Sequence, residues 1–301
     1  MAVSLDLLRT FLAVYREGSI TRAAQQLQLS QPAVTGQVKA LEATLGRPLF
    51  TRLPRGVDST LAADTLARQI AAPLDQLEML TSSALGRDID VFTRVVQLGG
   101  PAEITTARVL PAVSDLVSQG LQLRVSLGLV DQLIDDLVAG KLDMAIATIR
   151  PRRRGLRVEP LCDEEFILVG TPSWAQRLPA EIINRDGAGA LSDVPLISYA
   201  EELPIIRRYW QTVFGVRPTS NAAVVIPDLR GVLATVLAGA GVSVLPRYLC
   251  AGELERGVLI ELHTPSDPPL NTLFLVTRPT ALSNLAVAAL HTRLLLQSRL
   301  W

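Results

Sequence analysis

The sequence predicts a small helical head, one long helix and a two-lobed α/β domain. Three observations carry this. The first sixty residues place apolar side chains three and four apart, interrupted by Gly and Ser. Residues 59–85 continue the apolar stripe without a strand signal. Beyond residue 88, short apolar strands alternate with helical stretches, and the pattern restarts near residue 165.

Length and charge set the frame. The 301 residues carry 29 Lys+Arg and 29 Asp+Glu and are 49% hydrophobic and 4% aromatic. At about 100–200 residues per domain this is two or three domains. Zero net charge excludes a uniformly basic nucleic-acid coat or a polybasic membrane binder, but not a local basic patch. Residues 1–60 hold seven basic residues (Arg9, Arg16, Arg22, Lys39, Arg47, Arg52, Arg55) and four acidic ones (Asp6, Glu17, Glu42, Asp58), a balance of +3 that leaves −3 for the remainder. Two cysteines, Cys162 and Cys250, make no disulfide scaffold, and His263 and His291 stand in no metal-ligand spacing. No signal peptide and no transmembrane run is evident, so a soluble cytoplasmic protein is expected, with no membrane partner.

In the head, Leu5, Leu8, Phe11, Leu12 and Tyr15 form one apolar helix face. Gly18 should end that helix, and Ser19 or Thr21 should cap the next. Ala23, Ala24 and Leu27 give a second helix a face of small residues for close packing. Ser30 is an N-cap for a third helix that tolerates Pro32 in its first turn. Val34, Val38 and Leu41 bury one side of it, and Gln31, Pro32, Thr35, Gly36 and Lys39 lie opposite. Residues 48–56 read as a turn with Arg52 and Arg55 at its tip. This pattern suits a helix-turn-helix, and on periodicity alone it equally suits an ordinary small bundle.

Specific residues separate the two. Gly18-Ser19-Ile20-Thr21-Arg22-Ala23-Ala24, Leu27, Ser30-Gln31-Pro32-Ala33-Val34, Leu41-Glu42, Leu45-Gly46, Leu49-Phe50 and Arg55-Gly56-Val57 together closely resemble the LysR-type transcriptional regulators. The resemblance implies a winged helix-turn-helix that binds double-stranded DNA. By matching position, Gln31, Pro32, Thr35, Gly36 and Lys39 would face the major groove, and Thr21, Arg52 and Arg55 would hold phosphates. The chemistry agrees: Gln can bond a base edge, Thr and Pro can touch a thymine methyl, and Arg and Lys supply the salt-dependent term. The position of Gly36 usually carries a basic residue in the family, so one contact is expected to be missing here.

The long helix shows Leu61, Leu66, Ile70, Leu74, Leu77 and Leu80 on one side. It reads either as a helix packed on its own domain or as one pairing with a twin. The resemblance implies the second, a dimerisation helix in a homodimer or homotetramer. Pro73 should kink or break it, and Ala63 stands where the family normally has Gly.

The third part reads as two α/β lobes with a parallel sheet. Strands are expected near residues 94–98, 121–127 and 142–147, with helices over 103–118 and 133–139. Further strands are expected near 165–170, 196–199, 223–226, 239–246 and 273–276. Helices are expected through 207–214, from Asp228 through Leu237, and over 282–296. Leu110-Pro111, residues 137–146, 156–161 and 239–246 are similar to the LysR-type effector domain, which has the periplasmic-binding-protein fold. The expected organisation is a DNA-binding domain at 1–58, a linker helix at 59–87 and an effector domain at 88–301. Its lobe I spans about 92–164 and 268–301, and lobe II about 165–267.

An interlobe cleft would then be lined by Pro101, Ala102, Glu103 and Ile104, by Thr148 and Ile149, by Ser198 and Tyr199, and by Val225 and Ile226. Many relatives place Ser or Thr in the first of these loops, where helix N–H groups hold a carboxylate. Here Glu103 stands there instead. Either it merely complements the helix dipole, or the effector is cationic or largely apolar. Arg152-Arg153-Arg154 reads as a solvated loop or an anion contact, and the cysteines as buried thiols or a redox pair.

The expected function is a sequence-specific DNA-binding transcriptional regulator modulated by a small-molecule effector, with no other cofactor and with RNA polymerase as a further partner. A solute sensor with a vestigial head is the alternative. No nucleophile elbow, P-loop or His-centred catalytic constellation supports an enzyme.

Overall fold

The computed structural model describes residues 3–53, 56–84, 92 and 94–301. The chain divides into two compact units, one of residues 1–100, 112–159 and 274–296, the other of 101–111, 160–273 and 297–301.

The head opens the first unit. Helix α1 (Leu5–Glu17) is capped by the Ser4 hydroxyl and closed by left-handed Gly18. Helix α2 (Ile20–Gln26) is capped by Ser19, whose hydroxyl accepts from Arg22 N–H at 3.3 Å. Helix α3 (Gln31–Leu45) is capped by Ser30, accepting from Ala33 N–H at 3.3 Å. Each cap satisfies a backbone donor that the first helical turn leaves open. Val34 and Val38 pack on Val14, Ala23 and Ala24.

A two-stranded wing follows, β1 (Phe50–Arg52) antiparallel to β2 (Val57–Ser59). Glu42 holds its entry, its Oε1 accepting from the amides of Leu49 at 2.7 Å and Phe50 at 3.2 Å. Gly56 (φ +93°) closes it, and a Cβ there would lie 2.5 Å from the Gly18 carbonyl oxygen. The absent side chain lets Val57 N–H donate to that same carbonyl at 3.0 Å, tying the wing to the α1–α2 turn.

Helix α4 (Leu61–Ala84) runs unbroken through Pro73, which is exposed. The expected break is absent: Pro73 lies on the exposed side of the helix, where the missing N–H costs least. Ala63, Ala67, Ala71 and Leu74 form the buried face, packed with Phe11, Tyr15, Leu41 and Leu49. Leu61 and Leu77 are exposed and lie outside that buried face. Ala63 is fully buried in that contact.

Lobe I lies in the same unit. Strand β3 (Val96–Gly100) is followed by α5 (Ala102–Ile104) and a π-helical turn at Thr105–Val109, both in the second unit, and then by α6 (Leu110–Ala112) and α7 (Ser114–Ser118). One helix over 103–118 was expected. Pro111 lacks an N–H to complete the ladder, and the backbone widens before it and breaks at Val113. Then come β4 (Leu123–Leu127), α8 (Val130–Ala139) and β5 (Met144–Ala147), with β3 parallel to both β4 and β5. Leu133, Ile134, Leu137, Leu142 and Val276 form the core of this lobe.

Asp143 is fully buried in lobe I. Its Oδ1 meets Arg94 Nη2 at 2.5 Å, and its Oδ2 accepts from Gln97 N–H at 2.8 Å. Arg278 Nη2 stands 3.7 Å away. Burial alone would raise its pKa, but Arg94, Arg16 and Arg278 outweigh that and hold it below the usual carboxylate range. Arg16 belongs to α1. Its Nε donates to the Gly140 carbonyl at 3.3 Å, and Lys141 Nζ sits 5.5 Å from the Tyr15 ring centroid. Gly140 (φ +82°) lies against α4, where a Cβ would stand 3.0 Å from that of Ala71. The head and lobe I therefore meet along one seam.

Strand β6 (Arg157–Gly170) leads into the second unit and β11 (Leu270–Thr277) leads back. Between them lie α9 (Pro172–Arg177), α10 (Ala180–Asp186), β7 (Leu196–Ser198), α11 (Pro204–Tyr209), a π-helical turn at Trp210–Phe214 and β8 (Ala222–Val225). Next come α12 (Leu229–Leu237), β9 (Ser243–Pro246), α13 (Arg247–Glu255) and β10 (Ile260–His263). Helix α14 (Leu285–Gln297) closes the chain on lobe I. β6 is antiparallel to both β9 and β10, and β11 is antiparallel to β5. The all-parallel expectation is thus corrected to a mixed sheet. A strand that carries the chain between lobes and one that carries it back run in opposite senses, so pairs formed with them need not be parallel.

Candidate DNA interface and effector site

The exposed face of α3 presents Gln31, Pro32, Gly36 and Lys39, with Thr35 half-buried beside them. The Thr35 hydroxyl donates back to the Gln31 carbonyl at 2.9 Å. Thr21, Gln31 and Thr35 line one notch of about 220 Å³ together with Ser19, Leu53 and the wing residues Gly56 and Val57. Fold and sequence thus bring three expected contacts together and place three more on the same face. Of Arg52 only the backbone, in β1, is described, and Arg55 lies outside the described residues. Nothing lies within 4 Å of a Cβ built on Gly36, so that position is open space. Glu17, itself buried, takes Arg22 Nε at 3.2 Å, and this pair braces the α1–α2 turn. Ser19, Leu53 and Val57 were not anticipated, because a notch formed by two separated segments leaves no local spacing.

The expected effector residues fall in two places. Pro101 and Ile104 are buried and Ala102 and Glu103 half-buried, at the start of α5. Ser198 ends β7, with its hydroxyl donating to the Ala200 carbonyl at 2.9 Å. Val225 is its register partner on β8, and Ile226 N–H donates to the Ser198 carbonyl at 2.9 Å. These and Tyr199 belong to the second unit. Thr148 is half-buried and Ile149 exposed after β5, in the first unit.

Glu103 has acidic company. Burial raises its pKa, Asp228 adds to the rise, and Arg230 opposes it. Asp228 caps α12 and is bound by Arg230, Nη2 to Oδ2 at 2.7 Å. Glu164, on β6 and buried, is pushed up to about 7 by burial and by the charge of Glu103. Asn271 Nδ2 donates to its Oε1 at 2.9 Å. The Tyr248 hydroxyl is buried beside Glu164 without a regular hydrogen bond, and Arg108 sits 5.8 Å from the Tyr248 ring centroid. Burial and the charges of Glu103 and Glu164 also raise the Tyr199 hydroxyl. Glu164 and Tyr248 were missed. An acid inside an apolar strand run was the available signal for Glu164.

Among the described residues no group of three His, Cys, Asp or Glu side chains could hold a metal. Burial pushes both cysteine thiols up to about 12, so neither is a thiolate at neutral pH. Among the described residues no helix is long and apolar enough to cross a membrane.

Residues 5–64 match the family model described as bacterial regulatory helix-turn-helix protein, lysR family, and residues 90–298 match the LysR substrate binding domain. The chain belongs to the LysR family of bacterial transcriptional regulators. The HTH-type transcriptional regulator AbaB of Streptomyces antibioticus is 49% identical over 292 residues, covering 96% of each chain. PtxR of Pseudomonas aeruginosa is 29% identical over 266 residues, covering 86% of this chain and 82% of its own. In fold, the chain is similar to a full-length OxyR variant from Pseudomonas aeruginosa, with a TM-score of 0.73, 22% identity and 98% of each chain covered. It is also similar to LysG from Corynebacterium glutamicum with bound effector Arg, with a TM-score of 0.64, 20% identity and coverage of 99% and 98%. This LysR-type chain is therefore a DNA-binding transcriptional regulator with an effector-binding domain, and not an enzyme.

Proposed function

We propose that this regulator reads its operator with Gln31, Pro32, Thr35, Gly36 and Lys39, anchors on phosphates with Thr21, Arg52 and Arg55, and responds to a cationic effector. The domain limits are those of the sequence: 1–58 for the DNA-binding domain, 59–87 for the linker helix and 88–301 for the effector domain. Leu61 of α4, which is exposed, supports self-association as a homodimer or homotetramer in the cytoplasm, where RNA polymerase is a further partner.

One observation carries the effector class. Glu164 is buried, and the charge of Glu103 raises its proton affinity further, while burial and Asp228 raise that of Glu103. An amine or guanidinium placed between such carboxylates restores both charges, whereas an organic anion adds a third like charge. Pro101, Ala102, Ile104, Ser198, Tyr199, Val225 and Ile226 would shape the apolar remainder, and Thr148 and Ile149 are the further residues expected to meet the effector. The arginine bound to LysG belongs to the same chemical class.

Calorimetric titration of the full chain with arginine, lysine and benzoate tests this. Binding of a cation, weakened about tenfold or more in Glu103→Gln and Glu164→Gln, is expected. No cation binding, or cation binding unaffected by either substitution, would overturn it, whatever benzoate does. Gel shifts on the gene's own upstream region test the DNA reading. Specific retention that falls with added salt and with Gln31→Ala is expected, and sequence-independent retention would point to a vestigial head.

A further inference from the structure

The second unit holds another cavity, of about 690 Å³, that shares no lining residue with the Glu103–Glu164 group. Its size falls in the range of small-molecule sites. Trp210, Phe214, His263, Arg185, Arg217 and Gly189 line it.

Its aromatic wall has an unusual backbone origin. Helix α11 continues from Tyr209 into the π-helical turn Trp210–Phe214. Such turns are rare and concentrate at functional sites. Here the wide turn sets Trp210 and Phe214 edge to face, with centroids 5.5 Å apart and planes at 87°. The His263 ring adds a third face, 5.6 Å from Phe214.

Of the polar groups that line it, His263 and Arg217 decide the charge a ligand would meet. His263 is buried, and its Nδ1 lies 3.0 Å from the Tyr209 hydroxyl, closer than the 3.4 Å from that hydroxyl to the His263 carbonyl. We assign the tyrosine proton to Nδ1, which places the ring proton on Nε2 as a donor. Burial lowers the His263 pKa, so the ring is neutral at pH 7. On the rim, Arg185 is tied to Asp186 at 2.7 Å. Arg217 is exposed and makes no ion pair or hydrogen bond among the described residues.

An aromatic wall, a neutral N–H donor and one uncommitted guanidinium complement an aromatic ring bearing a carboxylate. A cation would meet Arg217 with no free acid to offset it. We propose that this cavity is a second small-molecule site, selective for aromatic carboxylates, with Arg217 and His263 Nε2 on the carboxylate and Trp210 and Phe214 against the ring.

The experiment is calorimetric titration of the full chain with indole-3-acetate, using uncharged indole-3-acetamide as control. Arg217→Gln changes an exposed side chain. Gly189→Glu adds an acid at the rim where no atom lies within 4 Å of a Cβ. We expect saturable binding of the acid, about tenfold weaker binding of the amide, and about tenfold weakening in each variant. Glu164→Gln should leave this binding unchanged, which separates the site from the cationic one. No saturable binding up to about 5 mM, equal binding of acid and amide, full affinity in both rim variants, or loss in Glu164→Gln would each overturn the proposal.

Discussion

Replacing Glu164 by Gln isolates what it costs to bury this carboxyl. The substitution keeps the shape and keeps an oxygen to accept from Asn271 Nδ2, now at 2.9 Å. The native carboxyl titrates at about 7 against an ordinary 4.5, because of burial first and the neighbouring Glu103 second. The folded state thus binds the proton more tightly than the unfolded state. Stability from this group is fully present below about pH 4.5 and is lost as pH rises to about 7. The accumulated loss is about 3 kcal/mol by pH 8, an upper figure since Glu103 shares it. Urea unfolding of both proteins between pH 5 and pH 8, followed by circular dichroism, is the assay. Near-equal midpoints are expected at pH 5, with the Gln variant gaining up to about 3 kcal/mol at pH 8. A parallel pH dependence in the two proteins, or a less stable variant at pH 8, would refute the reasoning.

Four further outcomes follow from the geometry. Effector cation binding should release about half a proton at pH 7, because Glu164 is half-protonated near its midpoint; the buffer dependence of the calorimetric enthalpy reads this, and the release should fade by pH 8.5. Gly36→Arg should tighten DNA binding in gel shifts and raise head stability by about 0.5–1 kcal/mol, since an open helical position exchanges Gly for a better helix former. Gly56→Ala should weaken DNA binding while far-UV dichroism stays unchanged, because a Cβ 2.5 Å from the Gly18 carbonyl displaces the wing. Asp143→Asn should destabilise the chain by about 3–5 kcal/mol in denaturant titration, leaving Arg94 and Arg278 buried beside a neutral group.

Much of this architecture is written locally. Ser19, Ser30 and Asp228 are short polar side chains just before apolar periodicity, and each caps the helix that follows. Gly18 and Gly46 end helices in the left-handed conformation that glycine adopts at little cost. What stayed hidden is non-local. The Ala63–Ala67–Ala71 stripe was overshadowed by larger leucines, though small side chains are what let α4 lie close on α1. Strand direction depends on which strand becomes a neighbour, so the antiparallel pairs of β6 and β11 had no local mark. Glu103 was legible as an odd residue in its loop, but its partner Glu164 comes from a distant strand. The Trp210–Phe214 wall needed the π turn, which periodicity at 3.6 residues does not distinguish from ordinary helix.

The seam at Arg16, Gly140 and Lys141 bears on how such regulators can be recombined. A DNA-binding head grafted from a relative would bring its own residues to the positions of Tyr15 and Arg16. Where the grafted residue is not Arg, one of the three guanidinium groups that keep Asp143 ionised at the centre of lobe I is lost. Chimeras joined in the 85–91 segment therefore inherit a mismatch well away from the splice. Pairing α1 and the Gly140–Lys141 turn from the same parent is the condition for exchanging operator specificity without disturbing the sensor.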